Sequence, residues 1–495
     1  MWTFFISLVL LVVGYLFYSR VSEKVFAIDG RKTPAISSPD GVDKMPMSKT
    51  KAFLVELLNI AGTGPIFGAI SGALFGPIAF IWIVAGCILG GAVHDYFSGM
   101  ISSRHDGASI AILSGKYIGK FAKGFMTISS LILLALVTAV FVVSPSTLLS
   151  DLTNGVMPAW AWLIIILFYY LLATILPIDK IIGKLYPIFG IILIVMALLS
   201  IGGVLFHQDK YPLIELIGNL RDFSLQNGSL PWWPFMLTTI ACGAVSGFHA
   251  TQTPMIAKCI KSEKEGRQVF YGAMVAEGVI ALIWCAVAMA FFKVNTQEGW
   301  QELDAIGGNS SSVYKICSTL LGPVGSVFAI VGVIICPITS GDTALRGARL
   351  ILGEALNFDQ KKIRNRLILT TPMFILVVLI CIWNLLNPGN FDLLWRWFAC
   401  SNQVLAALSL WVSTFYLFKE GKYKFGYLFT FIPALIMSMV VITYICGEPR
   451  ISLGRWIPMN VSYIIGGAIT FALMVSFLVY TFIYKKKRKK NLEIE

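Results

Sequence analysis

The stretch NIAGTGPIFGAISG, Asn59–Gly72, lies inside a long apolar run, where a membrane helix would be expected. It opens with an Asn, two glycines flanking a Thr, and a Pro. Pro65 removes a backbone donor, and Gly62 and Gly64 permit non-helical torsions. Lipid cannot satisfy the backbone groups such a break sets free. A span that carries it must line a cavity or be buried in protein. Beyond the break, Gly64, Gly68, Gly72 and Gly76 recur at every fourth position. This smooth stripe lets another helix approach closely.

The surrounding chain fits that environment. Of its 495 residues, 57% are hydrophobic and 13% charged, with a mean hydropathy of +0.78. A soluble chain would carry roughly 25% charged residues. The charges crowd between apolar runs long enough to cross a bilayer, which is the pattern of a multi-pass membrane protein. Thirteen spans are expected, near 1–18, 52–75, 77–101, 124–148, 159–178, 184–206, 232–258, 268–292, 321–345, 366–387, 391–418, 425–446 and 459–484. The alternate segments that start with 19–51 hold 32 of the 39 Lys and Arg residues, and the opposite side holds 7. Lys and Arg mark the cytoplasmic side, so the N-terminus is expected outside and the C-terminus in the cytoplasm.

The net charge of +13 does not point to nucleic acid. Its densest run, KKKRKK at Lys485–Lys490, directly follows the last span and reads as an anchor to anionic lipid. The nine cysteines have no paired spacing, and all but Cys317 fall in or beside apolar runs as packing residues. There is no P-loop signature and no large soluble segment, so ATP-driven pumping has no support.

A second break lies in the seventh span, TTIACGAVSGFHATQTPMIAKC, which gathers Gly243, Ser246, Gly247, His249, Thr251, Gln252, Thr253 and Pro254. The two broken spans lie five apart and run in opposite directions under the charge sorting. That is the mark of an inverted five-helix repeat, in which half-helix ends meet at the membrane midplane and bind substrate. The expected division is 52–206 for the first repeat and 232–418 for the second. Residues 1–51 would form a peripheral helix and cytoplasmic loop, and 425–495 the peripheral helices and basic tail. Asn59 and the half-helix amides of Gly62, Thr63 and Gly64 suit a carboxylate. Ser246, His249, Thr251 and Gln252 would face them across the substrate.

Five blocks carry a resemblance: DGVDKMP (40–46), LNIAGTGPIFGAI (58–70), GGAVHDYFSGM (90–100), SGFHATQTPM (246–255) and TSGDTALRGAR (339–349). In this order they resemble the carbon starvation protein family CstA, and the likeness extends over most of the chain. The resemblance implies the amino acid–polyamine–cation superfamily and the leucine-transporter fold. It also implies a bacterial inner-membrane importer of peptides or pyruvate, used in carbon starvation. In that fold a sodium site lies between the first and eighth repeat helices, here spans 2 and 9. Thr339, Ser340 and Asp342, with carbonyls near Ala61, would supply its oxygens. If a proton drives transport instead, Asp342 or His249 would carry it; pyruvate uptake in the family is proton-linked.

Other readings of these residues stay open. Asp342 could simply pair with Arg346, and His249 could be a neutral imidazole bonded to loosened backbone. Asp95 could gate the cytoplasmic end with a basic partner or be a helix-end charge. Glu56 could cap or gate the first break, and Glu277 could pair with an Arg or a substrate amine. Adjacent His94 and Asp95 point about 100° apart on a helix and are not expected to share a metal. Arg396 would snorkel outward or pair inside. The resulting expectation is a cation-coupled importer of small carboxylate-bearing nutrients. It needs no cofactor beyond H+ or Na+ and has no metal, no catalytic residues and no nucleic-acid partner. An integral-membrane metal enzyme on His94, Asp95 and His249, or a channel, is the alternative. Oligomeric state is not encoded.

Overall fold

The computed structural model describes residues 1–41, 43–175, 178–360, 362–387, 389–450 and 456–492, with the side chains of 175–187, 329–331 and 488–492 left out. Fifteen helices of the described residues overlie the expected spans in whole or in part. They are α1 (Trp2–Phe26), α2 (Lys49–Ile60), α3 (Gly64–Phe75), α4 (Ile78–Arg104), α5 (Lys120–Leu152), α6 (Ala159–Ile175), α7 (Ile178–Phe206) and α8 (Trp232–Thr239). Then follow α9 (His249–Ala257), α10 (Glu263–Phe292), α11 (Ser310–Ala355), α12 (Ile363–Leu386), α13 (Asn390–Glu420), α14 (Leu428–Gly447) and α15 (Met459–Leu492).

Among the described residues, nine helices are long and apolar enough to cross a membrane, and up to eleven if each bent pair is one span. One bent pair is α2–α3, with a 57° bend. The other lies within α11, between Ser310–Phe328 and Gly332–Ala355; Gly322, earlier in the same helix, also leaves helical torsions. The expected count of thirteen is therefore not reached on length and apolarity. The fifth span, α6, is a short apolar helix, and the seventh is divided between α8 and α9 by residues 240–248. Residues 176 and 177, at the end of the fifth span, and part of the basic tail lie outside what is described.

Burial separates centre from rim. The apolar window of α10 is 83% buried and that of α15 only 11%, so α10 runs through the protein while α15 presents its apolar side chains outward. Around α10 pack α2, α3, α4 and α7; α5 packs along α11, and α13 carries α14, which in turn carries α15. Local sequence sets several helix starts. The Ser48 side chain accepts from the amide of Lys51 at the head of α2, and Asn309 Oδ1 accepts from Ser311 and Ser312 at the head of α11.

The glycine stripe of α3 seats it against the second break. A Cβ on Gly64 would stand 2.3 Å from Cys242 Sγ, and one on Gly72 would stand 2.3 Å from the Ile240 side chain. Between them, a Cβ on Gly68 would stand 2.6 Å from the Thr239 carbonyl oxygen. The two broken spans thus touch at their breaks.

Candidate functional site

At the first break α2 ends on Ala61, and Gly62 and Thr63 form the link to α3, with Pro65 in its first turn. The Thr63 carbonyl opens the new half-helix by accepting from Ile66 and Phe67. The chain is non-helical at Gly62 and Thr63, as expected, but neither Gly62 nor Gly64 has a positive φ, so it is close approach that calls for glycine. A Cβ on Gly62 would stand 2.5 Å from the Phe141 ring. The Gly62 amide is also not free, since it donates to Ile60 O at 3.0 Å. The half-helix amides left for a ligand are those of Thr63 and Gly64. Beside them the side-chain amide of Asn59, the Thr63 hydroxyl and both Glu56 carboxyl oxygens are buried without a hydrogen-bond partner.

The second break is held open by α13. Asn402 Oδ1 accepts from the Phe248 amide at 2.6 Å and lies 3.2 Å from Ser246 Oγ, while Gln403 Nε2 donates to Val245 O at 3.1 Å. These side chains replace the bonds that the helix lost. Gly247 allows this closeness, because its Cβ would stand 2.2 Å from Asn402 O. Thr251 Oγ1 turns back to Phe248 O and receives Gln252 Nε2, which leaves Gln252 Oε1 without a partner. Sequence reading passed over Asn402 and Gln403, although two amides in an otherwise apolar span were the available signal. Asn402→Ala would orphan a buried amide, at a cost of about 1–3 kcal/mol. It is expected to lower the melting temperature and reduce substrate affinity. Asn402→Asp keeps an acceptor for the Phe248 amide and should fall between the two in a thermal-shift measurement.

Between the breaks lies a fully buried chain of ionisable groups. Asp95 Oδ1 is 2.7 Å from His94 Nδ1, and Asp95 Oδ2 is 2.8 Å from His249 Nδ1. His249 Nε2 is 3.2 Å from Glu277 Oε2, and Glu56 is within electrostatic reach of Asp95, His249 and Glu277. Asp95 thus has histidine partners at the centre, where a basic gate partner was expected. Glu277 faces His249, where an Arg or a substrate amine was expected. His94 and Asp95 do meet, because flexible side chains bridge the angle between their Cα–Cβ bonds. Among the described residues no three His, Cys, Asp or Glu groups are arranged to hold a metal.

Charge balance says what this chain can do. Two like charges 4 Å apart repel by about 4 kcal/mol at an effective dielectric of 20. Three buried carboxyls gathered around two imidazoles are therefore one electrostatically linked cluster whose charge must be balanced from within. His249 Nε2 and Glu277 are in ion-pair range without a hydrogen bond.

The polar side of α11 meets the first break. Ser340 Oγ donates to Leu58 O at 2.9 Å, and Thr339 Oγ1 turns back to Ile335 O and Cys336 O. The Ala61 carbonyl receives the Cys336 thiol at 2.8 Å. Asp342 Oδ2 accepts from Tyr169 at 2.7 Å, and Arg346 reaches Ala173 O and Asp43. Arg396 pairs inward, with Asp392 at 3.0 Å and Glu448 at 3.1 Å.

A cavity of about 510 Å³, lined by Ser71, Asp304, Asp392, Trp395 and Arg396 among others, opens on the side expected to be outside. From Trp395 a string of rings runs inward through Phe398, Phe141 and Phe248, at centroid spacings of 5.2, 6.5 and 6.3 Å. Phe248 precedes His249, so the rings stand between this vestibule and the buried ionisable chain.

An all-helical, multi-pass membrane protein in which two broken helices of an inverted five-helix repeat meet at a buried polar centre has the leucine-transporter-like architecture. Solved transporter structures share that fold. A manganese transporter of Eremococcus coleocola matches with a TM-score of 0.58 at 14% identity, covering 90% of this chain and 98% of that one. MhsT in complex with L-phenylalanine matches with a TM-score of 0.54 at 13% identity, covering 79% and 98%. The chain belongs to the carbon starvation protein CstA family, whose model matches residues 1–161, 156–317 and 305–444. An uncharacterized membrane protein of Haemophilus influenzae is 44% identical over 63% of this chain and 96% of its own length. The peptide transporter CstA of Helicobacter pylori is 25% identical over 89% of this chain and 80% of its own. The pyruvate/proton symporter BtsT of Escherichia coli is 26% identical over 60% of this chain and 50% of its own.

Proposed function

We propose that this protein is a secondary-active importer of small carboxylate-bearing nutrients, peptides or pyruvate, that works by alternating access and is coupled to protons. The observation that carries this reading is the meeting of the two breaks, Gly64 on Cys242, beside partnerless Asn59, Thr63 and Glu56. Buried polar groups without partners are costly unless a ligand satisfies them during the working cycle. The substrate carboxylate would sit at the Thr63 and Gly64 amides, with Asn59, His249 and Gln252 around it. The relatives named as a peptide transporter and a pyruvate/proton symporter support the substrate class, and with it a role in scavenging carbon when it is scarce.

Proton coupling is favoured over sodium by the buried chain Asp95–His249–Glu277. The expected sodium position is less suitable. There the Ala61 carbonyl is taken up by a thiol, and a thiol is a poor ligand for a hard cation. We read the fully buried polar centre and the rings above it as an occluded stage of the cycle.

The test is uptake into proteoliposomes of pyruvate against di- and tripeptides, with proton and sodium gradients imposed separately. Saturable uptake of one class, driven by an inward proton gradient and abolished by a protonophore, is expected. Unsaturable flux that ignores both gradients would make the protein a channel. On this reading the protein lies in a bacterial inner membrane with its N-terminus outside and its C-terminus in the cytoplasm, an orientation that the charge asymmetry supports. Cysteines introduced as Trp2→Cys and Glu493→Cys should therefore label from opposite sides, and labelling from one side defeats this orientation.

A further inference from the structure

The cytoplasmic end of α11 carries charge that the central site does not use. Arg346 and Arg349 are both buried and share one carboxylate. Asp43 Oδ1 lies 3.5 Å from Arg346 Nη1, and Asp43 Oδ2 lies 3.9 Å from Arg349 Nη2. The latter separation is too long for a hydrogen bond. The Arg349 side chain is 0% exposed, and its Nε, Nη1 and Nη2 have no hydrogen-bond partner. A guanidinium offers five donors in a planar fork that fits a carboxylate. Arg366 is also buried, and it and Arg346 lie within electrostatic reach of Arg349. Arg349 thus faces the Asp43 carboxylate without a hydrogen bond to it, a costly arrangement for a guanidinium buried in a membrane protein.

The segment bearing Asp43 is a built strap. The Met47 amide donates to Cys259 O, the Cys259 thiol reaches Asp43 O, and Thr33 Oγ1 donates to Ile260 O. Asp40 Oδ1 in turn accepts from the amides of Asp43 and Lys44. The strap therefore holds the Asp43 carboxylate in place just short of bonding to Arg349. The site also lies close to the first break. Ser340 bonds to Leu58 O there, and Arg349 follows nine residues later on α11, roughly 13 Å along the helix.

We infer that Arg349, with Arg346, forms a second anion-binding site at the cytoplasmic end of the solute path, which takes the carboxylate of the imported solute before its release. Asp43 is the internal counter-ion, and the solute carboxylate takes its place with the bidentate bonds that Asp43 does not make. The placement on a solute path rests on the transport reading above, but the existence of the site does not, and binding can be measured without transport.

The experiment is equilibrium dialysis of radiolabelled pyruvate against the full-length protein in detergent. Arg349→Gln should bind one equivalent fewer than the wild type. Asp43→Asn should bind that equivalent about ten times more tightly, since it removes the competing charge. In proteoliposomes, Arg349→Gln should raise half-saturation from the cytoplasmic face about tenfold and leave that from the outer face unchanged. Equal stoichiometry in the wild type and Arg349→Gln overturns the site. If Arg349→Gln does not fold, unchanged affinity in Asp43→Asn overturns it. Displacement of the equivalent by inorganic phosphate but not by acetate overturns the carboxylate assignment. Absent transport with the extra equivalent retained would defeat the transport reading and leave the site standing.

Discussion

Asp95→Asn is expected to abolish proton-driven accumulation, by a hundredfold or more, while leaving solute exchange across the membrane in place. Asp95 accepts from two imidazoles, His94 at 2.7 Å and His249 at 2.8 Å, and all three groups are fully buried. Asparagine keeps the shape and one acceptor. Its amide NH2 then faces one imidazole nitrogen, and that ring must switch tautomer to accept from it. The switch spares the fold but fixes the protons in place. The centre also loses the charge that makes a doubly protonated His249 affordable between Asp95 and Glu277. Removing one partner from a buried ionic set costs about 3–5 kcal/mol, which is roughly a 100- to 4000-fold change in an equilibrium. The loss should therefore fall on the protonated state that drives the cycle. Counterflow of labelled solute, which needs no net proton movement, should persist. The measurement is accumulation ratio against counterflow rate in the same vesicles. Wild-type accumulation in this variant would remove the ionisable chain from coupling and return attention to Thr339, Ser340 and Asp342.

The features legible in the sequence were those written in local pattern. Helix-breaking residues inside apolar runs marked both breaks, and their spacing of five spans gave the inverted repeat. The four-residue glycine period announced a close helix contact, and the structure puts residues 239–242 of the second break against it. What remained hidden was pairing across the fold. Asp95 meets His249 across 154 positions, and Asn402 meets Phe248 across the same separation. No local period records such contacts. A lone buried Asp in a span announces that a partner exists but not which one, so the sequence reads Asp95 either as a cytoplasmic gate with a basic partner or as a helix-end charge. The glycines at 62 and 64 illustrate a subtler loss. Glycine can serve torsion or proximity, and sequence does not separate the two. Only the neighbours of a hypothetical Cβ do, and they show proximity.

That distinction gives the other large effect, at the contact between the breaks. Gly68 has ordinary helical torsions, φ −62° and ψ −38°, and Gly64 lacks a positive φ, so alanine is permitted at both by backbone alone. Contact forbids it. At Gly64 the new Cβ would stand 2.3 Å from Cys242 Sγ and 2.6 Å from Cys242 Cβ; at Gly68 it would stand 2.6 Å from the Thr239 carbonyl oxygen. A thiol can rotate away, but a Cβ and a backbone oxygen cannot. Overpacking of this kind costs about 1–3 kcal/mol even where a core can shift. Here any shift separates the two half-helices that frame the substrate. Both Gly64→Ala and Gly68→Ala should therefore cut uptake by at least tenfold, with the protein still inserted in the membrane. The two differ in rescue. Cys242→Gly removes both atoms that oppose an alanine at 64, so Gly64→Ala/Cys242→Gly should recover most of the uptake lost in Gly64→Ala. The atom opposing an alanine at 68 is main-chain, so no side-chain change at Thr239 should restore Gly68→Ala. Uptake measured across this double-mutant cycle isolates the contact from each residue's own effect. Were Cys242→Gly to leave Gly64→Ala as impaired as before, the juxtaposition of the breaks would not be what Gly64 is needed for. The carboxylate site placed between them would then lose its main support.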